Sequence, residues 1–165
     1  MYPTNDNSGH SSTTWILVAN GSEAKLYTAL NKNLCPTNLE HIALTFVERF
    51  EHLQSRAKDS ELVSDQAGRY SNKGLPKSAF SQQTDPHDNE RVKFAQELAL
   101  FLDDKRKTEG LDALMLICPS RFYGDLNKHI SKHVAKLITK VIDKDYTKES
   151  ESKLIQHIKD TLSLQ

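Results

Sequence analysis

One segment of the chain, Leu111 to Leu126, constrains the fold more than any other. Its apolar run from Ala113 to Cys118 stops at Pro119, and the pattern from Ser120 onward is that of an amphipathic helix. A buried strand that leads directly into a helix is the building unit of α/β folds. In such folds, ligands bind in the crevice beyond the carboxyl ends of the strands. The segment therefore predicts an α/β protein with a site near Pro119.

Three strands are predicted before the first helix. Trp15–Ala19 is a continuous apolar run, as expected of a strand that is covered on both faces. Asn20-Gly21 is a turn signal, so the segment from Ala24 to Ala29 should return beside the first strand as a hairpin. Leu39 to Phe50 is the third predicted strand.

Helices and strands alternate in the second half of the chain. Asp85 is a suitable N-cap with Pro86 at the first helical position, and Gly110 is placed to end this helix. A second helix is predicted with Ser120 as its N-cap and with one apolar face, formed by Leu126, Ile130, Val134 and Leu137. A short strand at 138–143 and a last helix follow. The order βββαβαβα predicts one α/β domain with three layers around a mixed sheet.

Composition separates the predicted domain from irregular segments. Residues 1–14 lack the basic and apolar stretches of a secretory signal, and we expect a disordered lead-in to a single domain at 15–165. Residues 54–84 have no apolar period, which predicts a long mobile loop. No apolar run approaches the roughly 20 residues of a membrane span, so no membrane partner is expected. Cys35 and Cys118 are far apart and fit a reducing, cytoplasmic location.

The charge of the chain is balanced, with 22 Lys and Arg against 22 Asp and Glu, so any attraction for an anion must be local. Between residues 65 and 85 there are cations and no acid, and Tyr70 and Phe80 lie among them. Cations and aromatic rings on a flexible segment suit phosphate contacts and base stacking. Ordinary solvated cations are an equally good interpretation. The cations are Arg69, Lys73 and Lys77.

A second group of candidates lies where the helices are predicted to begin. Arg121 falls in the first turn of a helix, where unbonded N–H groups and the helix dipole favour an anion. Ser120 beside it and His87 at the start of the first helix complete the predicted anion- or RNA-binding set. Ser120 lacks the Gly-x-Ser-x-Gly surroundings of a hydrolase nucleophile, so no catalytic residue is assigned.

Neither a metal site nor a cofactor is expected. His129 and His133 are four residues apart on a predicted helix and would share a face, but no third ligand is evident. A two-metal nuclease needs several carboxylates above the sheet. The first strand ends at Asn20 instead of an acid, and the run from Leu114 to Pro119 contains none. A metal-dependent nuclease is therefore not expected.

Four segments, taken together, resemble one bacterial family. They are Trp15–Tyr27, Ser64–Arg69, Asp85–Asp88 and Leu116–Leu126, and Lys144–Thr147 echoes the last of them. In this order they resemble the proteins required for attachment to host cells. The resemblance implies a fold related to the middle domain of archaeal and eukaryotic peptide-chain release factors, with ribonuclease-H-like topology. It suggests a link to RNA or the ribosome by analogy only.

These observations favour a cytoplasmic, non-catalytic binding protein of the host-attachment family, linked to RNA or the translation machinery. We expect the long loop and the Pro119–Tyr123 turn to form its binding surface. Peptide release is not expected, because the loop lacks the Gly-Gly-Gln tripeptide of release factors. Two other functions remain open: a hydrolase or nuclease with an unrecognised site, and a protein–protein adaptor.

Overall fold

The computed structural model describes residues 12–52 and 85–164. Residues 1–11 of the lead-in predicted at 1–14 and the predicted loop at 54–84 lie outside these ranges. The last two residues of that lead-in, Thr13 and Thr14, belong to the first strand, so the ordered domain begins earlier than predicted. The strands are β1 (Thr13–Ala19), β2 (Glu23–Leu30), β3 (Thr45–Glu51), β4 (Leu114–Ile117) and β5 (Ile138–Ile142). The α-helices are α1 (Pro86–Thr108), α2 (Ser120–His129), α3 (Lys132–Ala135) and α4 (Glu151–Ser163).

The five strands form one mixed sheet in the order β3-β2-β1-β4-β5. β2 runs antiparallel to both of its neighbours, whereas β1, β4 and β5 are parallel to one another. The predicted hairpin of β1 and β2 is confirmed. The two continuous apolar runs also pair, with Ile16 opposite Met115. The strands that were predicted from their apolar character therefore form the centre of the sheet.

The third strand is shorter than the sequence pattern predicts. Leu39–His41 is a 3-10 turn, and β3 begins only at Thr45. Leu39 and Ile42, three residues apart, are both buried. Residues at this spacing lie on the same side of a 3-10 turn, whereas in a strand they would face opposite sides of the sheet. Burial of this pair therefore favours the turn.

Side chains of β1 alternate between two cores, one on each face of the sheet. Trp15 and Leu17 pack with residues of α1 and α2 on one face, and Ile16 and Val18 pack with residues of α4 on the other. Helices thus cover both faces, which confirms the predicted α/β domain with a mixed sheet. No α-helix within residues 12–52 and 85–164 is long and apolar enough to cross a membrane.

The single helix predicted after β4 is divided in two. α2 ends at His129, and the two residues that follow have extended backbones. The Ser131 hydroxyl accepts the N–H of Val134 at 3.2 Å, which caps α3, and donates to Asp103 of α1 at 2.9 Å. Such side-chain bonds compete with continuation of a helix. Because of this break, His129 and His133 do not share the helix face that the sequence suggested.

Candidate functional site at the carboxyl end of the sheet

Strands β1, β4 and β5 end on the same side of the sheet, which we call the carboxyl end. Asn20 follows β1, Cys118 follows β4 and Asp143 follows β5. Ligands of open α/β sheets bind beyond these strand ends. A ligand of this domain is therefore expected at the carboxyl end.

The side chain of Asn20 joins two segments at the carboxyl end. Its Oδ1 accepts the backbone N–H groups of Ser22 at 2.9 Å and Glu23 at 3.0 Å, which holds the turn between β1 and β2. Its Nδ2 donates to Asp145 at 3.0 Å and to Thr147 at 3.0 Å. One amide therefore connects this turn to the segment that follows β5.

The segment between β5 and α4 extends across the carboxyl end as far as β2. Lys25 of β2 donates from Nζ to the backbone oxygen of Thr147 at 2.6 Å. Lys148 forms an ion pair of 2.5 Å with Glu23, which also belongs to β2. The segment begins beside β4, contacts β1 through Asn20 and ends on β2. It therefore covers the ends of the central strands.

Glu23 places a carboxylate inside the protein. Its side chain is 1% exposed, and its oxygens lie 3.3 Å from Arg49 and 2.5 Å from Lys148. An isolated carboxylate at such a position would be strongly unfavourable. The two cations, both accessible to solvent, neutralise the charge of Glu23.

The N-terminus of α2 is occupied by a carboxylate from another part of the chain. Asp143 accepts the hydroxyl of Ser120 at 2.5 Å and its backbone N–H at 2.8 Å. These two hydrogen bonds, the hydroxyl bond foremost, lower the pKa of Asp143 below its usual value. Ser120 is the first residue of α2 and Pro119 is its cap position, so the prediction that Ser120 is the N-cap was wrong. The capping group comes from Asp143 instead.

Two arginines connect α1 to α2. Arg91 of α1 bonds to Asp125 of α2 at 2.6 Å and to Asp88 at 2.5 Å. Burial acts to lower the pKa of Arg91, but hydrogen bonds with Asp125 and Asp88 outweigh burial and leave this pKa raised. Arg121 of α2 donates from Nη2 to both oxygens of Asp88, at 2.7 and 2.9 Å. Its Nε and Nη1 form no bond with any residue that the structure describes.

Side-chain contacts also connect the end of β3 to α1. Nε2 of His52 lies 2.8 Å from the carboxylate of Glu90, and the imidazole stacks on Phe94 with 5.5 Å between ring centroids. Lys93 also bonds to Glu90 at 2.6 Å, and this bond is the largest influence on the lowered pKa of Glu90. The start of α1 is thus bound to β3 as well as to α2.

A cavity of about 210 Å³ lies between the β1–β2 turn and the start of α1. It is lined by Asn20, Gly21, Ser22, His87 and Arg91. A Cβ atom at position 21 would lie 2.9 Å from Cγ of Arg91, so any other residue there would force the arginine side chain to shift. The backbone N–H of His87 donates to Asp85 at 3.0 Å, which confirms the predicted N-cap of α1.

The chemistry available beneath this surface is restricted. Burial raises the pKa of Cys118 to about 12, with a smaller contribution from Asp143, so the thiol is protonated at neutral pH. A protonated, buried thiol is a poor nucleophile. Within residues 12–52 and 85–164, no three His, Cys, Asp or Glu side chains are grouped so that they could hold a metal ion.

The predicted binding residues fall into two groups. Ser120 and Arg121 lie at the start of α2, and Asp88, the neighbour of His87, bonds to Arg121. The three loop cations lie outside the described residues, so a surface shared with them stays a prediction. They are Arg69, Lys73 and Lys77.

Two acids at the carboxyl end, Asp143 and Asp145, were not among the predicted site residues. A usable signal existed, since the fifth strand was predicted to end at residue 143. The carboxyl ends of parallel strands meet on one side of a sheet. Asp145 and Thr147 also lie in the segment that echoes the Leu116–Leu126 pattern.

Comparison with known proteins agrees with the resemblance seen in the sequence. No curated protein matches the chain. A family model, described as protein required for attachment to host cells, matches residues 15–158. This span contains the whole sheet from Trp15 onward and every contact of the carboxyl end described above. The chain belongs to the family of proteins required for attachment to host cells.

Proposed function

We propose that this host-attachment protein is a non-catalytic binding protein linked to RNA or to the translation machinery. The observation that carries the non-catalytic part is that the acids of the carboxyl end are bound by cations or by neutral donors of the protein itself. Each acid described there has partners within the protein. These acids are Glu23, Asp88, Glu90, Asp125, Asp143 and Asp145.

This pairing argues against the hydrolase or nuclease alternative. Metal-dependent hydrolysis needs carboxylates that are free to hold ions over the reacting bond. Here an arginine pair holds Asp88, and hydroxyl and amide donors hold Asp143 and Asp145. Ligation of a metal by these oxygens would require the bonds that support the strand ends to break.

Arg121 is the best-placed group for contact with an anionic ligand. Its side chain is 71% exposed, and the bonds to Asp88 use only one of its three nitrogens. The remaining donors suit a phosphate oxygen, because a guanidinium presents them in a fixed fork. We propose that Arg121, with Ser120 and His87, extends a surface formed by the loop cations Arg69, Lys73 and Lys77.

The topology of the sheet is consistent with a partner that is RNA or the ribosome. Its order, β3-β2-β1-β4-β5 with β2 antiparallel, is compatible with the ribonuclease-H-like topology and with the release-factor kinship that the sequence resemblance implies. Fold kinship does not by itself assign a function. It makes RNA and ribosomes in the cytoplasm the first partners to test.

The test is affinity capture of the full chain from native bacterial lysate, with and without ribonuclease. We expect rRNA and ribosomal proteins in the eluate, and we expect ribonuclease to remove them. The double variant Arg69→Ala/Arg121→Ala should capture less. Lys32→Ala/Lys159→Ala removes the same charge elsewhere and is the matched control.

Two outcomes would contradict the proposal. If proteins other than ribosomal proteins were captured and remained bound after ribonuclease treatment, the protein–protein adaptor function would be favoured. Cleavage of RNA by the purified protein in the presence of Mg²⁺ would show that the carboxyl end is catalytic after all.

A further inference from the structure

A second charged surface lies away from the carboxyl end. Residues 126–142 contain four lysines, two histidines and no acid, although cations and acids are equal in number over the whole chain. These residues run from the end of α2 through α3 and along β5. We call the four lysines the basic flank. They are Lys128, Lys132, Lys136 and Lys140.

Burial of Val134 in the core determines where the side chains of Lys132 and Lys136 point. Val134 is fully buried, and Lys132 and Lys136, two residues before and after it, are exposed. Residues two positions apart on a helix lie on nearly opposite sides, and residues four apart share a face. Lys136 follows α3 directly and keeps a right-handed helical backbone. Because Val134 faces the core, both lysines project from the same outer face.

The basic flank is largely without ion-pair partners. Lys132, Lys136 and Lys140 have no carboxylate within 4 Å among residues 12–52 and 85–164. Lys128 lies 3.7 Å from Asp125, but that carboxylate is bound more closely by Arg91, at 2.6 Å. The positive charge of this face is therefore not used to hold the fold together.

The last turn of α1 borders the basic flank. Asp103 accepts a hydrogen bond from Ser131, just before α3, and forms ion pairs with Arg106 at 3.2 Å and Lys107 at 2.5 Å. Hydrogen bonds from Lys107 and then Ser131 lower the pKa of Asp103 to about 2, so it is ionised at neutral pH. Two cations of α1 already share this carboxylate, and Asp103 forms no ion pair with a lysine of the basic flank among the described residues.

The chemistry of the basic flank favours a nucleic acid over a protein or a membrane. Protein interfaces are depleted in lysine and centre on aromatic or apolar anchors. Amphipathic helices that enter a membrane surface need an exposed apolar face, but α3 buries Val134 in the core. Val141 is the one large apolar side chain exposed between residues 126 and 142. A phosphate backbone, in contrast, is bound by exposed cations alone.

We propose that the basic flank binds the phosphate backbone of a nucleic acid. This surface is separate from the one in the proposed function, and it stands even if the carboxyl end binds nothing. Contacts made by lysine point charges position a nucleic acid without selecting its sequence. Binding should therefore depend strongly on salt and weakly on base composition.

The test is titration of the full chain with oligouridine and with a mixed-sequence RNA of equal length, at several salt concentrations. Lys132→Ala/Lys136→Ala should weaken binding by about tenfold or more at low salt. It should also flatten the salt dependence by about 0.7 for each phosphate that is no longer bound. Alanine is compatible with a helix, so the variant should stay folded, which circular dichroism checks.

The matched control is Lys32→Ala/Lys159→Ala, which removes two lysines that form no ion pair with the described residues and lie outside the basic flank. It should bind RNA as the unaltered chain does. Equal losses in the two double variants, or no RNA binding by the unaltered chain, would overturn the proposal. The proposal would also be overturned if Lys132→Ala/Lys136→Ala bound RNA as the unaltered chain does but bound phosphatidylserine vesicles or polyglutamate less well.

Arg69→Ala/Arg121→Ala, titrated in parallel, separates the two proposals. If only Lys132→Ala/Lys136→Ala weakens RNA binding, the basic flank is supported on its own. If only the arginine variant does so, the basic flank is rejected and the proposed function stands.

Discussion

The carboxyl end and the basic flank are both rich in charged side chains, but they use them in opposite ways. At the carboxyl end, Arg91 lies 2.6 Å from Asp125 and Lys148 lies 2.5 Å from Glu23, and both of these carboxylates are largely buried. On the basic flank, Lys132 and Lys136 reach no carboxylate among the described residues. The two surfaces differ in the placement of partners more than in the kinds of residue they contain.

This difference separates charge that maintains the structure from charge that remains available to a ligand. A pair that is largely removed from water holds two elements in a fixed geometry, and removal of one member leaves the other uncompensated. An exposed lysine without a partner contributes little to stability. Substitutions on the two surfaces should therefore affect different measurements.

The largest expected effect is on the stability of the carboxyl end. Arg91→Ala should lower the free energy of unfolding by about 3 kcal/mol, because Asp125, whose side chain is 11% exposed, loses its closest cation. Lys132→Ala/Lys136→Ala should change it by less than about 0.5 kcal/mol. Urea denaturation at neutral pH measures both values.

Arg91→Lys is the control for this contrast. It keeps the charge, but a lysine cannot present the forked donors that reach both Asp125 and Asp88, so its effect should be intermediate. Similar losses for Arg91→Ala and the double lysine variant would contradict the distinction between the two surfaces.

A smaller effect is expected from a single change of charge at the carboxyl end. Asn20→Asp keeps the oxygen that accepts from Ser22 and Glu23, but it loses both donated bonds and places a carboxylate beside Asp145. We expect a loss of about 2 kcal/mol at pH 7. Chemical denaturation over a range of pH is the measurement.

The pH dependence identifies the cause of this loss. Burial acts to raise the pKa of Asp145, but bonds from Thr147 and Asn20 outweigh it and leave this pKa lowered. Two adjacent carboxylates would raise the pKa of one of them, so the penalty of Asn20→Asp should shrink as pH falls towards 4. Asn20→Ala adds no charge and should show a weaker dependence. A pH-independent penalty for Asn20→Asp would contradict this explanation.

The smallest effect is expected at Asp103, which borders the basic flank. Its pKa is lowered to about 2 in the folded protein and is about 3.9 in an unfolded chain. Its ionised form therefore adds stability that is present above about pH 4 and is lost as pH falls towards 2. Asp103→Asn should remove this contribution. The difference in the free energy of unfolding between the unaltered chain and Asp103→Asn should shrink as the pH falls from 5 to 2. A constant difference would argue against a contribution from ionised Asp103.

Local features of the fold were predictable from the sequence. The apolar runs identified β1 and β4, the Asn20-Gly21 turn identified the hairpin, and Asp85 marked the start of α1. Each depends on residues that are close together in the chain. The break after α2 was missed because Val134 continues the apolar period of the preceding helix. A hydrophobic pattern persists through a change of backbone direction as long as the same core is covered.

The contacts of the candidate site were less predictable. Asp143 caps α2 from 23 positions away, and Asn20 bonds to Asp145 across 125 positions. Such partners are brought together by the strand order, which neither residue encodes locally. The basic flank occupies an acid-free stretch of the sequence, but it was not among the predicted sites. Its lack of ion pairs depends on what the neighbouring elements place beside it.

The segment between β5 and α4 has a consequence for how the chain acquires its structure during synthesis. Asn20 meets Thr147 across 127 positions, so the carboxyl end cannot close until nearly the whole domain has been made. Until β4 has been made, the central strand β1 has only β2 as a neighbour and exposes one of its edges. Contacts of such long range slow folding, since the chain gives up the entropy of loop closure before the contacts form. Assembly of the carboxyl end is therefore a late event, after translation of the last strand.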